Sequence, residues 1–368
     1  MKRKVTIILP TYNEAENIEQ LITRLFSSIE ASNNWELSIV VVDSSSPDGT
    51  GAIVESMKKK YPYLHLLKTP KEGLGKAYVN GFTYALSQIS PYVCFEMDAD
   101  FSHPPELIPQ FLSKIEKGAD MVLGSRYIRG GSIPKDWAVH RKIFSTCANI
   151  FVRFGFMKLR VTDWTTGFRA IKTWLIKDAL SYVSTFTGYV FQVAFLDFAV
   201  NKHAHIEEVP LAFKDRKKGI SKINSVQYIV QTLFYVLTHS SFIKFVIVGC
   251  IGFIIDFGIS YFFIEKVHTA LWIATIISTE TAIISNFFLN NFWSFSHKQI
   301  ERTFISYLFN FAKFNLVSVG SILIQTLGVA LIAGLLGTQY WYIYKVIIII
   351  CVIIPYSYFL YSKVIWKK

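Results

Sequence analysis

Two carboxylates, those of Asp98 and Asp100, lie two residues apart directly after a mostly apolar segment, residues 92–97. Such a segment predicts a buried strand, and open α/β sheets bind ligands at the edge where their strands end. Both carboxylates can turn toward one hard cation, which in nucleotide-sugar chemistry is usually Mg²⁺ or Mn²⁺ bound to a diphosphate. The alternative is a pair of surface aspartates in a strand-to-helix loop, and the surrounding sequence decides between the two interpretations.

The first part of the chain, up to about Asn224, alternates strand-like and helix-like segments. Strands are predicted at residues 5–10, 37–43, 64–67, 92–98, 121–124 and 206–213. This alternation predicts an α/β domain whose mostly parallel sheet is covered on both faces by helices. Polar side chains follow the strands, and they include Thr11, Tyr12, Asn13, Glu14, Asp43, Asp98, Asp100, Ser125 and Arg126. Several such groups at one edge of one sheet predict a functional site.

The rest of the chain is too apolar for an ordinary soluble protein. Across all 368 residues, 52% are hydrophobic and the mean hydropathy is +0.35. Beyond Ser241 four apolar segments, at about 243–265, 270–293, 313–336 and 341–363, are each long enough to cross a hydrocarbon core of ~30 Å. We therefore predict an integral membrane protein with four spans.

Charge predicts the orientation of these spans. Basic residues flank the middle connection and the C-terminus, and they are Lys298, Arg302, Lys313, Lys363, Lys367 and Lys368. The positive-inside rule then places both termini and the middle loop in the cytoplasm. No signal peptide begins the sequence, so the first domain is expected on the cytoplasmic side as well.

A formal net charge of +12 suits two kinds of protein: one that binds nucleic acid, or a membrane protein that meets anionic headgroups and a phosphorylated substrate. We expect the second and predict no nucleic-acid partner. The four cysteines lie far apart in apolar surroundings without metal-ligand spacing, which predicts neither disulfides nor a zinc site.

Six ordered motifs resemble the polyprenyl-phosphate mannose synthases, also called dolichol-phosphate mannose synthases, of glycosyltransferase family 2. The motifs are Pro10-Thr11-Tyr12-Asn13-Glu14, Val42-Asp43 with Ser46-Pro47-Asp48-Gly49-Thr50, Asp98-Ala99-Asp100-Phe101-Ser102-His103-Pro104-Pro105, Gly124-Ser125-Arg126-Tyr127, Thr166-Gly167-Phe168-Arg169 and the segment 215–222. The resemblance covers residues 4–225. Two later segments, residues 245–256 and 286–295, resemble the GtrA-like four-helix membrane domain.

The resemblance implies both an architecture and an activity. It implies a cytoplasmic GT-A (Rossmann-like) nucleotide-sugar-binding domain at residues 1–222 and an all-α GtrA-like transmembrane domain at 242–368. Between them, the 3-4-3-4 spacing of Ile223, Val226, Val230, Leu233 and Leu237 predicts an amphipathic interface helix or linker at 223–241. The implied reaction transfers mannose from GDP-mannose to a dolichyl or other polyprenyl phosphate in the bilayer, with inversion, and requires Mg²⁺ or Mn²⁺. His103 favours mannose, because related glucosyltransferases more often carry an acidic residue there.

The resemblance also implies site residues. The donor nucleotide sugar would contact Pro10, Tyr12, Glu14, Val42, Ser44, Asp98, Ala99, Asp100, Arg216 and Lys222. The metal would be bound by Asp98, Asp100 and Ser102, and the acceptor phosphate by Arg126, Arg141 and Ser145. Asp100 and Arg126 would be catalytic. The acceptor is already an anion, so the reaction needs no strong general base.

Two departures from the family pattern bear on specificity. Ser44 stands where the family usually has a second aspartate that helps to hold the nucleoside, and Ser102 stands where some relatives have glutamine. One alternative is therefore a polyprenyl-phosphate glucosyltransferase that uses UDP-glucose. A second is a membrane transporter or flippase with a regulatory soluble domain, against which the intact Asp98, Asp100 and Arg126 argue.

For three segments, the sequence allows two interpretations of their role. Residues 71–76, which contain two glycines, could contact a phosphate or begin a helix. The basic residues 216–218 could bind the diphosphate or line the membrane surface. The basic and apolar segment 141–154 could lie in the membrane interface or form an ordinary core helix.

Overall fold

A computed structural model describes residues 2–30, 32, 34–215 and 225–367. The chain divides into two compact units, Met1–Phe154 with Lys158–Tyr235, and Gly155–Met157 with Val236–Lys368. Arg216 and Lys222 of the predicted donor site lie outside the described residues.

Within the described part of the first unit, seven strands form one mixed sheet. They are β1 (Arg3–Thr11), β2 (Trp35–Asp43), β3 (Leu64–Lys68), β4 (Val93–Glu96), β5 (Met121–Ser125), β6 (Arg169–Lys172) and β7 (Ile206–Pro210), in the order β3-β2-β1-β4-β6-β5-β7. All neighbours run parallel except β6, which is antiparallel to both β4 and β5. The predicted α/β fold is confirmed, while β6 was not predicted.

Helices cover both faces of this sheet. They are α1 (Ala15–Glu30), α2 (Thr50–Met57), α3 (Leu74–Tyr84, continued by a π turn at Ala85–Ile89), a 3₁₀ turn (Pro105–Leu107), α4 (Ile108–Glu116), α6 (Thr173–Val183) and α7 (Val190–Asn201). Two further helices are α5 (Val139–Phe156) and α8 (Ser225–His239). Helix α1 buries the apolar stripe that its spacing predicts, Ile18, Leu21, Ile22 and Leu25. The inner parallel strands β1, β2, β4 and β5 are buried along nearly their whole length, as strands covered on both faces must be.

The glycine-containing segment 71–76 begins helix α3. Gly73 is the N-cap of the helix and has a φ of 101°, which favours glycine. Gly75 donates its N–H to the Thr187 carbonyl at 2.9 Å, and a Cβ at Gly75 would lie 2.4 Å from the Phe186 carbonyl oxygen. Backbone packing therefore accounts for both glycines, in agreement with the helix-start interpretation.

The regular secondary structure described in the second unit is all helical. It contains α9 (Ser241–Tyr261, continued by Phe262–Lys266), α10 (Leu271–Leu289, continued by Asn290–Ser294), a 3₁₀ turn (Ser296–Lys298), α11 (Phe304–Leu336), α12 (Trp341–Ile348), a π turn (Ile349–Ile353), α13 (Ile354–Leu360) and a final π turn (Tyr361–Ile365). Four helical stretches are long and apolar enough to cross a membrane: Ser241–Lys266, Leu271–Ser294, Phe304–Leu336 and Tyr342–Ile365.

The third of these stretches begins at Phe304, earlier than the predicted start at residue 313. The sequence places Lys313 among the basic residues that flank the middle connection. In the structure the helix continues through it, with Lys313 Nζ over the Phe309 ring at 4.1 Å and with the Thr303 hydroxyl capping the helix by accepting from Ser306 N–H. A long basic side chain that lies along an aromatic ring is compatible with an apolar helix.

Candidate active site

The parallel strands β1, β2, β4 and β5 end at one edge of the sheet, and the predicted site residues follow them there. At this edge the residues form three groups: one after β1 and β2, one after β4, and one after β5.

The first group is organised by Asp43, which is buried at the end of β2. Its carboxylate accepts from Thr11 Oγ1 and Ser46 N–H, each at 3.1 Å, and also from the Ser46 hydroxyl. Ser44 N–H donates to the Thr11 carbonyl at 2.9 Å, and the Ser44 side chain is half-buried. Asp43 therefore fixes the turn that positions Ser44.

Asp48 joins this turn to the start of α1. Its carboxylate accepts from Ala15 N–H at 2.9 Å and from the Thr50 hydroxyl at 2.6 Å, and the same hydroxyl accepts from Glu14 N–H at 3.0 Å. Burial acts to raise the pKa of Asp48, but the hydrogen bonds from Thr50 and Ala15 outweigh it and lower that pKa below its usual value. The backbone around Glu14 is thus held in place by the loop after β2.

The other residues predicted to bind the donor differ in how far they are exposed to a ligand. Val42 and Ala99 are buried as whole residues, so neither exposes its side chain to a ligand. Pro10 and Tyr12 are partly exposed. Lys71 Nζ lies over the Tyr12 ring at 3.7 Å, which brings a cation from the segment 71–76 to this group.

The second group is the turn after β4. The Asp98 side chain is 41% exposed, whereas Asp100 is only 6% exposed and accepts from Ser102 N–H at 3.0 Å. Phe101, which lies between Asp100 and Ser102, has a backbone φ of 64°, which is uncommon for a residue other than glycine. Strained backbone of this kind is found preferentially at functional sites.

The Ser102 hydroxyl tests whether this turn suits a metal ion. It is buried and has no hydrogen-bond partner among the described residues, a costly state for a hydroxyl unless a ligand satisfies it. No three His, Cys, Asp or Glu side chains converge in the part of the chain that the structure describes. Two carboxylates and one hydroxyl nevertheless form a hard-oxygen donor set, which fits Mg²⁺ or Mn²⁺ when phosphate oxygens and water complete it.

His103 holds the backbone of Asp98 in place through a hydrogen bond. It is buried, stacks on Phe168 with ring centroids 5.0 Å apart, and its Nδ1 accepts from Asp98 N–H at 2.9 Å. Burial lowers the pKa of His103 to about 4, so the ring is neutral at pH 7 and carries its proton on Nε2, 3.9 Å from Asp98 Oδ2. The direct role of His103 is therefore to position Asp98.

The third group contains Arg126, whose side chain is only 10% exposed. Its Nε and Nη2 donate to the two oxygens of Asp163 at 2.7 and 2.8 Å, and Nη2 also donates to Thr165 Oγ1 at 2.7 Å. Burial acts to raise the pKa of Asp163, but Arg126 outweighs it and keeps that pKa below its usual value. Sequence reasoning missed Asp163, although it lies three residues before the motif that begins at Thr166.

Helix α5 carries the other two predicted acceptor residues. Ser145 Oγ lies 2.7 Å from Tyr127 Oη, so Ser145 is placed beside the segment that contains Arg126. Arg141 instead forms a bidentate pair with Asp215, at 3.0 and 3.1 Å, and lies over the Trp137 ring at 3.9 Å. Arg141 and Ser145 therefore share a helix, but in this structure Arg141 pairs with Asp215.

Two helices of this unit leave apolar side chains exposed. On α5 they are Val139, Ile143, Phe144, Ile150, Phe151 and Phe154, and on α8 they are Ile229, Val230, Leu233 and Phe234. An ordinary core helix would bury such residues, so the exposure disfavours the core-helix interpretation of α5.

Comparisons with known proteins agree with this architecture. The model of glycosyl transferase family 2 matches residues 6–182, and that of the GtrA/DPMS transmembrane domain matches residues 244–366. The chain is 33% identical over 311 residues to the dolichol-phosphate mannosyltransferase of Pyrococcus furiosus, a match that covers 81% of this chain and 82% of that protein. It is 36% identical over 225 residues to the polyprenol monophosphomannose synthase of Mycolicibacterium smegmatis, which covers 60% of this chain and 82% of that protein.

Among solved structures, the glucosyl-3-phosphoglycerate synthase of Mycobacterium tuberculosis is similar, with 17% identity and a TM-score of 0.47 over 64% of this chain and 78% of that one. A likeness at this level says nothing about the substrates of this chain.

Proposed function

The chain belongs to the dolichol-phosphate mannosyltransferases within glycosyl transferase family 2, and from that premise we propose that it transfers mannose from GDP-mannose to a polyprenyl phosphate, with inversion at the anomeric carbon. The observation that carries this proposal is the pair of polar groups at one sheet edge. A carboxylate and hydroxyl turn follows β4, and a buried, oriented arginine follows β5.

The donor would lie over the ends of β1, β2 and β4. Tyr12, Glu14 and Ser44 would face the nucleoside, with the buried Val42 and Ala99 behind them. Asp98, Asp100 and Ser102 would hold Mg²⁺ or Mn²⁺, which when bound neutralises the charge that builds on the leaving diphosphate. Arg216 and Lys222, outside the described residues, would pair with that diphosphate as in the family pattern.

The acceptor would lie over the end of β5. The acceptor phosphate is already an anion, so its oxygen can attack without a general base, and the protein has mainly to align it. Arg126 and Ser145 would hold it through directed hydrogen bonds. Arg141 would add charge from the exposed side of α5, where phosphate would replace Asp215 as its partner.

The membrane helices make this an integral membrane protein, and we propose that its catalytic unit and both termini are cytoplasmic. The basic residues of the middle connection and the C-terminus support this orientation. Protease added to inverted vesicles should release the catalytic unit, whereas protease added to right-side-out vesicles should leave it intact. Cleavage only in the right-side-out vesicles would reverse the orientation.

Replacing one metal ligand should stop turnover. Asp100→Asn keeps an oxygen that can accept from Ser102 N–H but removes the charge that the cation needs, so mannosyl transfer should fall by at least about 100-fold with little change in melting temperature. EDTA should stop the wild type, and Mg²⁺ or Mn²⁺ should restore it. Glu106→Gln, an exposed carboxylate nearby, is the control. Normal transfer by Asp100→Asn would refute the metal assignment.

The donor base can be tested by competition. If GDP-mannose is the donor, GDP should bind more tightly than UDP in the presence of metal, and calorimetry on the purified protein measures both. Ser44→Asp restores the usual family residue and reports how far this position contributes to base selectivity. Tighter binding of UDP would favour the alternative, a glucosyltransferase that uses UDP-glucose. No observation in this structure favours the transporter alternative.

The acceptor side makes a separate prediction. Arg141→Ala should raise the KM for polyprenyl phosphate by roughly tenfold, the loss typical of one charge-assisted contact, with the KM for GDP-mannose nearly unchanged. Arg3→Ala is a matched control, because Arg3 is an exposed arginine at the start of β1, the end of that strand away from the site. A variant that loses donor binding while handling the lipid normally would place Arg141 on the donor side.

A further inference from the structure

Arg126 is held by a loop that also holds helix α5. All three guanidinium hydrogen bonds described above go to this loop, residues 157–168 between α5 and β6: two to Asp163 and one to Thr165. The Arg126 backbone N–H also donates to Asp163 Oδ2, at 3.1 Å. Asp163 is fully buried, so this pair exchanges little with water. The Arg126 side chain is therefore fixed before any ligand binds. Binding then does not cost the side-chain entropy that a freely rotating arginine would lose.

The same loop is bonded to α5 through Asn149, which is buried. Asn149 Nδ2 donates to Thr165 Oγ1 and to the Ser145 carbonyl, each at 3.2 Å, and Asn149 Oδ1 accepts from Trp164 N–H at 2.8 Å. Thr165 Oγ1 thus accepts from Arg126 on one side and from Asn149 on the other. This short chain of bonds links the end of β5 to the helix that carries Ser145.

The Arg126–Asp163 pair carries no net charge. An arginine neutralised in this way attracts a phosphate less through its charge than through the direction of its remaining N–H groups. Its contribution to binding therefore depends on orientation, and orientation is what Asp163 supplies.

We propose that Asp163 is the positioning residue of the acceptor site: it fixes the Arg126 guanidinium so that Arg126 and Ser145, joined through Thr165 and Asn149, meet the lipid phosphate in one set geometry. This inference rests on the proposed function for the identity of the ligand. Asp163 touches neither substrate and acts through Arg126.

The test uses Asp163→Asn in the full-length protein. Asparagine keeps the volume but cannot accept both bonds of the arginine fork. We expect the KM for polyprenyl phosphate, and its Kd measured by calorimetry in detergent, to rise roughly 10- to 100-fold, the cost typical of losing a group that orients a binding residue. The KM for GDP-mannose should change less than about twofold.

Three further variants separate positioning from structure. Asp120→Asn is the matched control, because Asp120 precedes β5, pairs with Lys172 at 3.1 Å and lies at the other end of the strand. Thr165→Val should raise the same KM to a smaller extent and serves if Asp163→Asn folds poorly. In an Arg126→Ala background, Asp163→Asn should cause no further rise, because the residue through which it acts is gone.

Each outcome decides the inference. A parallel loss of donor and acceptor affinity, or effects that add in the Arg126→Ala background, would show that Asp163 is only structural and would overturn it. A wild type that binds polyprenyl phosphate but transfers no mannose would refute the proposed reaction, and the Kd of Asp163→Asn would still test the inference. An active wild type with an unchanged Asp163→Asn variant would refute the inference alone.

Discussion

A polyprenyl phosphate cannot bring its phosphate far from the bilayer, because each CH₂ group withdrawn from the hydrocarbon costs about 0.8 kcal/mol. A nucleotide sugar, by contrast, diffuses in water. An enzyme that joins the two must therefore present a water-facing donor site and an acceptor site that works at the membrane surface. In the proposed function both requirements fall on one sheet edge. The two helices that leave apolar side chains exposed, α5 and α8, lie mostly in the unit that contains this edge.

Each group at that edge is held by a buried partner rather than by its own backbone alone. Asp43 fixes the turn of Ser44, His103 fixes Asp98, and Asp163 fixes Arg126. Most single hydrogen bonds contribute only about 1 kcal/mol of net stability, but removing one member of a buried ion pair costs about 3–5 kcal/mol. The Arg126–Asp163 pair is therefore the least replaceable of the three, and it lies where the proposed reaction would need an anion to be aligned.

The parts of the fold that depend on local sequence pattern could be predicted from the sequence. The parallel strands, the helix α1 and the turn at Asp98 follow from apolar periodicity and from polar residues at strand ends. Strand β6 was missed because it is only four residues long and follows a polar loop, so no periodicity marks it. Asp163 was missed for a different reason, since its partner is 37 residues away in the chain and only the fold brings the two together. Arg141 was assigned to phosphate, and nothing local indicates that Asp215 pairs with it.

The loop around Asp163 is held from two sides by two arginines with different tasks. Arg169 is fully buried, and its guanidinium donates to the carbonyls of Thr166 and Gln192 at 2.9 and 2.7 Å, with Nε 3.7 Å from Glu96 Oε2. An arginine with its donors committed to backbone carbonyls and no exposed surface has a structural role. Arg126 keeps some exposed surface and is bound by side chains, the condition under which a guanidinium can still meet a ligand. Arg169, the last residue of the motif that begins at Thr166, therefore stabilises the loop. The loop in turn orients Arg126, the arginine that would bind the substrate.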